Sequence, residues 1–288
     1  MSIPEIISTA EAMQAKSESW RSNKLKIALI PTMGYLHSGH LSLIKKGREL
    51  ADRCVVSIFV NPLQFGPTED FSLYPRDIEN DIKQLSKYQV DAVFIPTLKD
   101  FYPSNFSTNV EVDKLIQGLC GTNRPGHFQG VATVVSKLFN ACSPHIAVFG
   151  QKDYQQAIIV KRMTRDLNWN INIVLGSTVR ESDGLAMSSR NVNLNKKECD
   201  SAPMLYKALC SGQRAIVNGE RSATRVRNIV CDIIKEKLTN QIDYVEVVET
   251  ETLKSVKFID GSVVIVGAVR MSKVRLIDNI MILRSDWI

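Results

Sequence analysis

The stretch Lys26-Ile27-Ala28-Leu29-Ile30-Pro31-Thr32-Met33-Gly34-Tyr35-Leu36-His37-Ser38-Gly39-His40-Leu41-Ser42-Leu43-Ile44 reads as a buried strand, a turn and a helix start in direct succession. Such a junction is an anion site before any side chain is considered. The first helical N–H groups lack partners, and the helix dipole favours negative charge there. His37 and His40 stand at i and i+3 and share one side of the first turn, where both imidazoles can face the same phosphates. Gly34 lets the turn backbone approach a ligand, and Gly39 leaves room beside it. The spacing argues against zinc, because the helical zinc motif places its histidines at i and i+4 with a Glu between them. An accidental structural pair is the other alternative to phosphate binding.

The same pattern repeats outward from this stretch. Strands are expected at Lys26–Ile30, Cys54–Val60, Ala92–Ile95, Ile146–Phe149 and Ile171–Leu175. Helices are expected at Leu41–Ala51, Asp77–Tyr88, Val131–Ala141 and Tyr154–Leu167. Near-continuous apolar strands separated by amphipathic helices predict an α/β fold, with a doubly wound parallel sheet covered on both faces. In such sheets ligands bind beyond the carboxyl ends of the strands. His37 and His40 follow the first expected strand, Asn61-Pro62-Leu63-Gln64 the second, and Gly150-Gln151-Lys152-Asp153 the fourth. After about residue 178 the style changes. Helices at Pro203–Val217 and Ala223–Leu238 precede strands at Tyr244–Val248, Val263–Val269 and Val274–Ile277, a smaller α+β domain. Two domains are therefore expected, residues 1–177 and 178–288, hinged near Gly176-Ser177-Thr178.

Composition excludes several classes of function. The 288 residues are 44% apolar and 23% charged, ordinary for a globular enzyme. No apolar run reaches the roughly 18 residues of a membrane helix, and the N-terminus lacks a signal-peptide pattern, so a cytoplasmic protein is expected. The six cysteines are scattered without a Cys-x-x-Cys pair, which reads as reduced, mostly buried thiols rather than a disulfide framework or zinc site. The net charge of +6 is spread evenly: residues 1–177 carry 19 Lys and Arg against 16 Asp and Glu, and residues 178–288 carry 17 against 14. With no basic run or basic-aromatic stripe, this suits anionic small substrates better than nucleic acid.

Three further segments carry chemistry. Lys152, at a strand-to-helix turn, can neutralise triphosphate charge; alone it would read as a solvated lysine, but beside the histidine pair it reads as a phosphate ligand. Asp153 has a sufficient reason to be there as the cap of the helix that follows. In Arg180-Glu181-Ser182-Asp183-Gly184-Leu185-Ala186-Met187-Ser188-Ser189-Arg190-Asn191, two hydroxyls and a guanidinium in sequence can grip β- and γ-phosphate oxygens, on a loop placed to act as a lid. Asn61, Gln64 and Gln156 offer neutral amides. Amide donors orient a carboxylate nucleophile without quenching its charge as a bidentate arginine would. Arg124 and His127, in a turn-rich loop, read equally as substrate contacts or as structural residues, and His145 reads as structural.

The segment Pro31–Leu41 resembles the His-x-Gly-His signature of the nucleotidylyltransferase superfamily. That signature alone also fits a transferase that stops at a nucleotidyl product, a fragment of a class I aminoacyl-tRNA synthetase, or an inactive nucleotide-binding protein. Together with Ser57–Pro75, Gly118–Asn140, Phe149–Gln156, Val179–Asn191 and Arg275–Ile280, the chain resembles the pantoate–β-alanine ligase family throughout its length. The Asn-Pro-Leu-Gln-Phe-Gly and Met-Ser-Ser-Arg-Asn stretches are the family-specific ones.

The resemblance implies a Rossmann-like N-terminal domain and a two-step reaction: pantoate attacks the α-phosphorus of Mg-ATP, and β-alanine then displaces AMP from pantoyl adenylate. It implies that Met33, Gly34, Tyr35, Leu36, His37, Ser38, Gly39 and His40 line the ATP site, with Gly150, Gln151, Lys152, Asp153, Val179, Met187, Ser188, Ser189 and Arg190. His40 would be the proton-donating histidine, with His37 and Lys152 as its catalytic partners; Gln64, Gln156 and Asn61 would meet pantoate and β-alanine. Ser38 and Gln151 stand where the family commonly has acidic residues, and neither position needs a charge for this chemistry. No protein ligand to a metal is expected, Mg²⁺ arriving with ATP. The family is typically a cytoplasmic homodimer, with no nucleic-acid or membrane partner.

Overall fold

The computed structural model describes residues 3–67, 69–237, 241–272 and 274–287, and the chain divides into two compact units. The first comprises Met1–Gly150 and Gln156–Ser177, the second Gln151–Gln155 and Thr178–Ile288. The expected division at 177/178 therefore differs at one segment. Gln151–Gln155 group with the second unit because Asn279 Nδ2 donates to Gln151 O (2.9 Å) and Lys152 O (3.0 Å), and Tyr154 OH donates to Thr250 O (2.8 Å).

Six parallel strands form the sheet of the first unit: β1 (Glu5–Ile7), β2 (Ile27–Thr32), β3 (Arg53–Ile58), β4 (Ala92–Phe94), β5 (Ile146–Gly150) and β6 (Asn172–Gly176), in the order β1-β4-β3-β2-β5-β6. Alternate strand residues feed two cores. Ile27, Leu29, Val55, Phe94, Ala147 and Phe149 pack on one face with α1 (Ala10–Ser22) and the long apolar helix His127–Cys142. Ile30, Cys54, Val56, Val93 and Val148 pack on the other with α2 (Ser38–Leu50) and α3 (Ile78–Leu85). Both faces are covered, which is why these strands read as unbroken apolar runs. Strand order reverses between β2 and β5, so their carboxyl ends flank the switch point at which such sheets bind ligands.

The five strands expected from the sequence are all present. β1 and α1 carried no strand or helix reading: β1 is a three-residue edge strand, and α1 buries only Met13, Ser17 and Trp20 on an otherwise polar surface. Thr9 caps α1 by accepting from Ala12 N. The chain continues through α4 (Leu98–Phe101), α5 (Leu119–Asn123), α6 (the helix His127–Cys142 above) and α7 (Tyr154–Asp166).

In the second unit β7 (Gln241–Glu249), β8 (Val263–Met271) and β9 (Val274–Ile282) form an antiparallel sheet. With α8 (Lys196–Ser201) preceding them, α9 (Met204–Val217) and α10 (Ala223–Lys237) supply Leu205, Leu209, Ile216, Val226, Val230 and Ile234 to one core with Val263, Ile265 and Leu276. The expected end of the second helix, Leu238, lies outside the described residues. No helix among the described residues is long and apolar enough to cross a membrane.

Candidate active site

The turn after β2 is fixed from below by a buried carboxylate. Gly34 and Tyr35 both have positive φ (83° and 51°), which turns successive amides to one side. Asp81 of α3 accepts from Tyr35 N (2.8 Å, Oδ2) and Leu36 N (2.7 Å, Oδ1) and is itself fully buried. Burial pushes its carboxyl up from the usual aspartate range, against the opposing pull of those two amides. A Cβ at Gly34 would lie 2.9 Å from Ile58 Cγ2 and 3.0 Å from Asp81 Oδ2, so the position admits glycine alone. Asp81 has no signal in the sequence, since its partners lie some 45 residues upstream.

The histidines close the turn onto α2. His37 is the cap residue, and its Nδ1 accepts from Gly39 N (3.1 Å); His40 Nδ1 accepts in return from His37 N (3.4 Å). This is a capping box built from imidazoles instead of Ser and Glu. An Nδ1 that accepts from an amide carries no proton, so each neutral ring carries its proton on Nε2. The rings are 4.1 Å apart between centroids and tilted by 37°. Two N–H donors thus sit over a helix start that already favours an anion. Ser38 and Gly39 form the first residues of α2, and Leu36 is buried in the core that α2 covers.

The turn after β3 presents the amides. Asn61 and Gln64 are 1% and 9% exposed. Gln64 Nε2 lies 3.0 Å from Met33 Sδ, bringing the turns after β2 and β3 together. Arg124 and His127, left open between two readings, hold this turn from its back. Arg124 makes a bidentate pair with Glu69 (2.7 and 2.6 Å) and donates to Gln64 O (3.2 Å); His127 Nδ1 donates to the same carbonyl (2.7 Å). A carbonyl only accepts and a guanidinium only donates, so His127 carries its proton on Nδ1 and receives Arg124 Nη1 at Nε2 (2.9 Å). A Cβ at Gly130 would meet Leu63 O at 2.1 Å and Gln64 N at 2.6 Å, so α6 needs glycine there for the turn to lie against it. Gln156 is half-buried on α7. His145 Nδ1 accepts from Ile27 N (3.1 Å), a structural role in the sheet.

Burial works to raise the Glu69 carboxyl, yet the hydrogen bonds and charge of Arg124 hold it below the ordinary value of 4.5. A depressed acid stabilises the folded chain above its unfolded pKa, and that contribution is lost as pH falls through the folded value. Denaturant midpoints taken from about pH 6 to about pH 3 should therefore fall less steeply below pH 4.5 for Glu69→Gln than for the parent chain. Parallel curves would contradict this.

In the second unit, Lys152 and Ser188 line one cleft with Asn191, Tyr206, Arg275 and Asp278, so two expected phosphate ligands far apart in sequence are brought together. Lys152 Nζ is 3.9 Å from Asp153 Oδ2. Gly150 ends β5, and Gln151–Asp153 form the turn that opens α7. The 179–191 loop is a hairpin: Arg180 bridges Ala186, and Met187 N donates to Val179 O (3.0 Å). Ser188 caps the turn Ser189–Asn193 by accepting from Arg190 N (3.3 Å), while Ser189 is buried. Arg180 anchors the loop through a bidentate pair with the buried Asp278 (2.6 and 2.9 Å), its guanidinium 3.6 Å from the Tyr206 ring centre.

A family model described as pantoate-beta-alanine ligase matches residues 5–281. The pantothenate synthetase of Thermotoga neapolitana is 50% identical over 274 residues, covering 95% of this chain and 98% of that protein. That of Fervidobacterium nodosum is 49% identical, covering 96% and 99%. Among solved structures, the pantothenate synthetase of Thermus thermophilus superposes with a TM-score of 0.91 at 40% identity, covering 96% of this chain and 98% of the other. The pantoate-beta-alanine ligase of Francisella tularensis, complexed with beta-gamma ATP and beta-alanine, gives 0.79 at 32%, covering 96% and 97%. With half of its residues shared over nearly its full length, and a turn that folds around the two signature histidines, the chain belongs to the pantoate–β-alanine ligase family.

Proposed function

We propose that the chain condenses pantoate with β-alanine at the expense of ATP, through a pantoyl-adenylate intermediate. A pantoate carboxylate oxygen bonds to the α-phosphorus as the bond to the β-phosphate bridging oxygen breaks, and pyrophosphate leaves. The β-alanine amine then bonds to the acyl carbon, the bond to the AMP oxygen breaks, and the amine loses a proton. The observation that carries this reading is the reciprocal histidine cap. It fixes both Nδ1 atoms as acceptors, and so both Nε2–H groups as donors, at a helix start on the sheet's switch point.

The first step brings an anion to an anion, so the site must supply positive or donor groups without trapping the nucleophile. His37 and His40 donate hydrogen bonds through Nε2–H to the triphosphate, the proton staying on each ring, and the amides of α2 add their dipole. Gly34 to Leu36 and Met33 line the nucleotide; Gly150 to Asp153, Val179 and Met187 to Arg190 hold it, with Lys152 and Ser188 on the phosphates. Gln64 and Gln156 orient pantoate, and Gln64 then meets β-alanine.

Among the described residues no three His, Cys, Asp or Glu side chains gather as a metal cage. Mg²⁺ would arrive with ATP, held mainly by its phosphate oxygens, and the Asp153 carboxylate beside Lys152 is the acidic group that would meet it. When bound, Mg²⁺ neutralises phosphate charge. We place the protein in the cytoplasm as a homodimer, by analogy with the family, with small molecules as its only substrates.

Pyrophosphate release should require pantoate, and AMP release should require β-alanine. Formation of ADP, or pyrophosphate release without pantoate, would contradict the assignment.

A further inference from the structure

Asn61 is the centre of a hydrogen-bond chain whose polarity can be deduced atom by atom. Leu63 N can only donate, so the Asn61 atom 3.3 Å from it is the carbonyl oxygen Oδ1. Gly130 O can only accept, so the atom 3.0 Å from it is Nδ2. Nδ2 also donates to Gln64 Oε1 (3.1 Å), and Tyr102 OH donates to Oδ1 (3.0 Å). All four hydrogen-bonding positions of the Asn61 amide are thus filled inside the chain, in a side chain 1% exposed. The Gln64 side-chain oxygen Oε1 is committed to Asn61, and the side-chain NH₂ is the end that points to Met33.

Tyr102 is held by its own surroundings. Its ring packs against Phe59 (5.9 Å), Phe101 (5.8 Å) and Phe106 (5.0 Å), with the Lys137 ammonium 5.8 Å from its centre. Burial pushes the phenol well above its usual range, so it stays a hydroxyl and donates.

We propose that Tyr102 is a positioning residue for the acid substrate: its hydroxyl joins Leu63 N and Gly130 O in holding the Asn61 amide, which keeps the Gln64 amide with NH₂ toward the site, where it can meet only an acceptor oxygen of pantoate. The inference rests on the reading of Gln64 as a pantoate ligand. It also gives Asn61 a supporting role in place of direct substrate contact. A Gln64 free to flip would present its carbonyl to a carboxylate half of the time and repel it.

The test is steady-state pyrophosphate release for Tyr102→Phe, Gln64→Ala, the double variant and Phe106→Leu, with pantoate and ATP each varied. Tyr102→Phe keeps the ring in its aromatic setting and removes one hydrogen bond. It should raise the pantoate KM about 3- to 10-fold while the ATP KM and kcat stay within about twofold. In the Gln64→Ala background the same change should add nothing further. Phe106→Leu disturbs the packing but not the hydroxyl and should leave the pantoate KM near that of the parent chain. If Gln64→Ala raises the pantoate KM but Tyr102→Phe does not, or the two effects multiply, or Phe106→Leu matches Tyr102→Phe, the role of Tyr102 is overturned and that of Gln64 stands. If Gln64→Ala leaves the pantoate KM unchanged, the reading of Gln64 fails and takes this inference with it.

Discussion

Replacing His40 or Lys152 with Ala is expected to slow pantoyl-adenylate formation by about 10²–10³, the usual loss on removing one group aimed at developing charge. His40 has two jobs that must be separated. Its Nδ1 closes the cap of α2 by accepting from His37 N, and its Nε2–H is the donor assigned to the phosphates. Loss of the cap alone costs about 0.5–2 kcal/mol of stability. The helix survives that loss, because Leu43, Ile44 and Gly47 pack its buried face. His40→Gln divides the roles, since Gln at the third helical position can make the reciprocal cap bond. That variant should regain most of the stability lost in His40→Ala and none of the rate. Single-turnover pyrophosphate release measured beside thermal melts would show the split. Near-normal rates in His40→Ala or Lys152→Ala would refute their roles.

Asp278→Ala is expected to destabilise the second unit by about 3 kcal/mol, at the lower end of the range for stripping one partner from a buried ion pair. Asp278 accepts from both Arg180 terminal nitrogens and from Asn279 N (2.8 Å). Without it, the partners of the guanidinium among the described residues are Gly184 O (3.2 Å) and the Tyr206 ring. The Arg180 side chain is 17% exposed, so water recovers part of the loss. The double variant Arg180→Met/Asp278→Leu should be markedly more stable than Asp278→Ala, because the penalty lies in the orphaned charge more than in the lost attraction. Arg180 also anchors the loop carrying Ser188 to Arg190, so the ATP KM of Asp278→Ala should rise as well. Urea denaturation of the whole chain checks the first expectation. Asp278→Ala as stable as the parent would show that the pair contributes nothing.

What the sequence disclosed is what local pattern encodes. The central strands were legible because both faces are covered, so Ile27 to Ile30 and Cys54 to Val56 read as uninterrupted apolar runs. The edge strand β1 and the polar helix α1 were silent for the opposite reason: few of their residues are buried. The histidine turn was legible as a strand-to-helix junction, but its support was not. Asp81 acts across sequence separations of 46 and 45 residues, and nothing near Asp81 marks it as the acceptor of Tyr35 N and Leu36 N. The grouping of Gln151–Gln155 with the second unit was hidden in the same way, because Asn279 and Thr250 make it. Arg124 and His127 could not be placed from residue type alone. Only the geometry shows them gripping the main-chain carbonyl of Gln64.

The central claim is that the acid itself attacks the α-phosphorus, and isotope transfer tests it most directly. Pantoate labelled with heavy oxygen in both carboxylate positions would be turned over with unlabelled ATP and β-alanine, and the products weighed by mass spectrometry. The account predicts one heavy oxygen in each AMP, one in the new amide carbonyl and none in pyrophosphate. Unlabelled AMP, or label in pyrophosphate or inorganic phosphate, would contradict it.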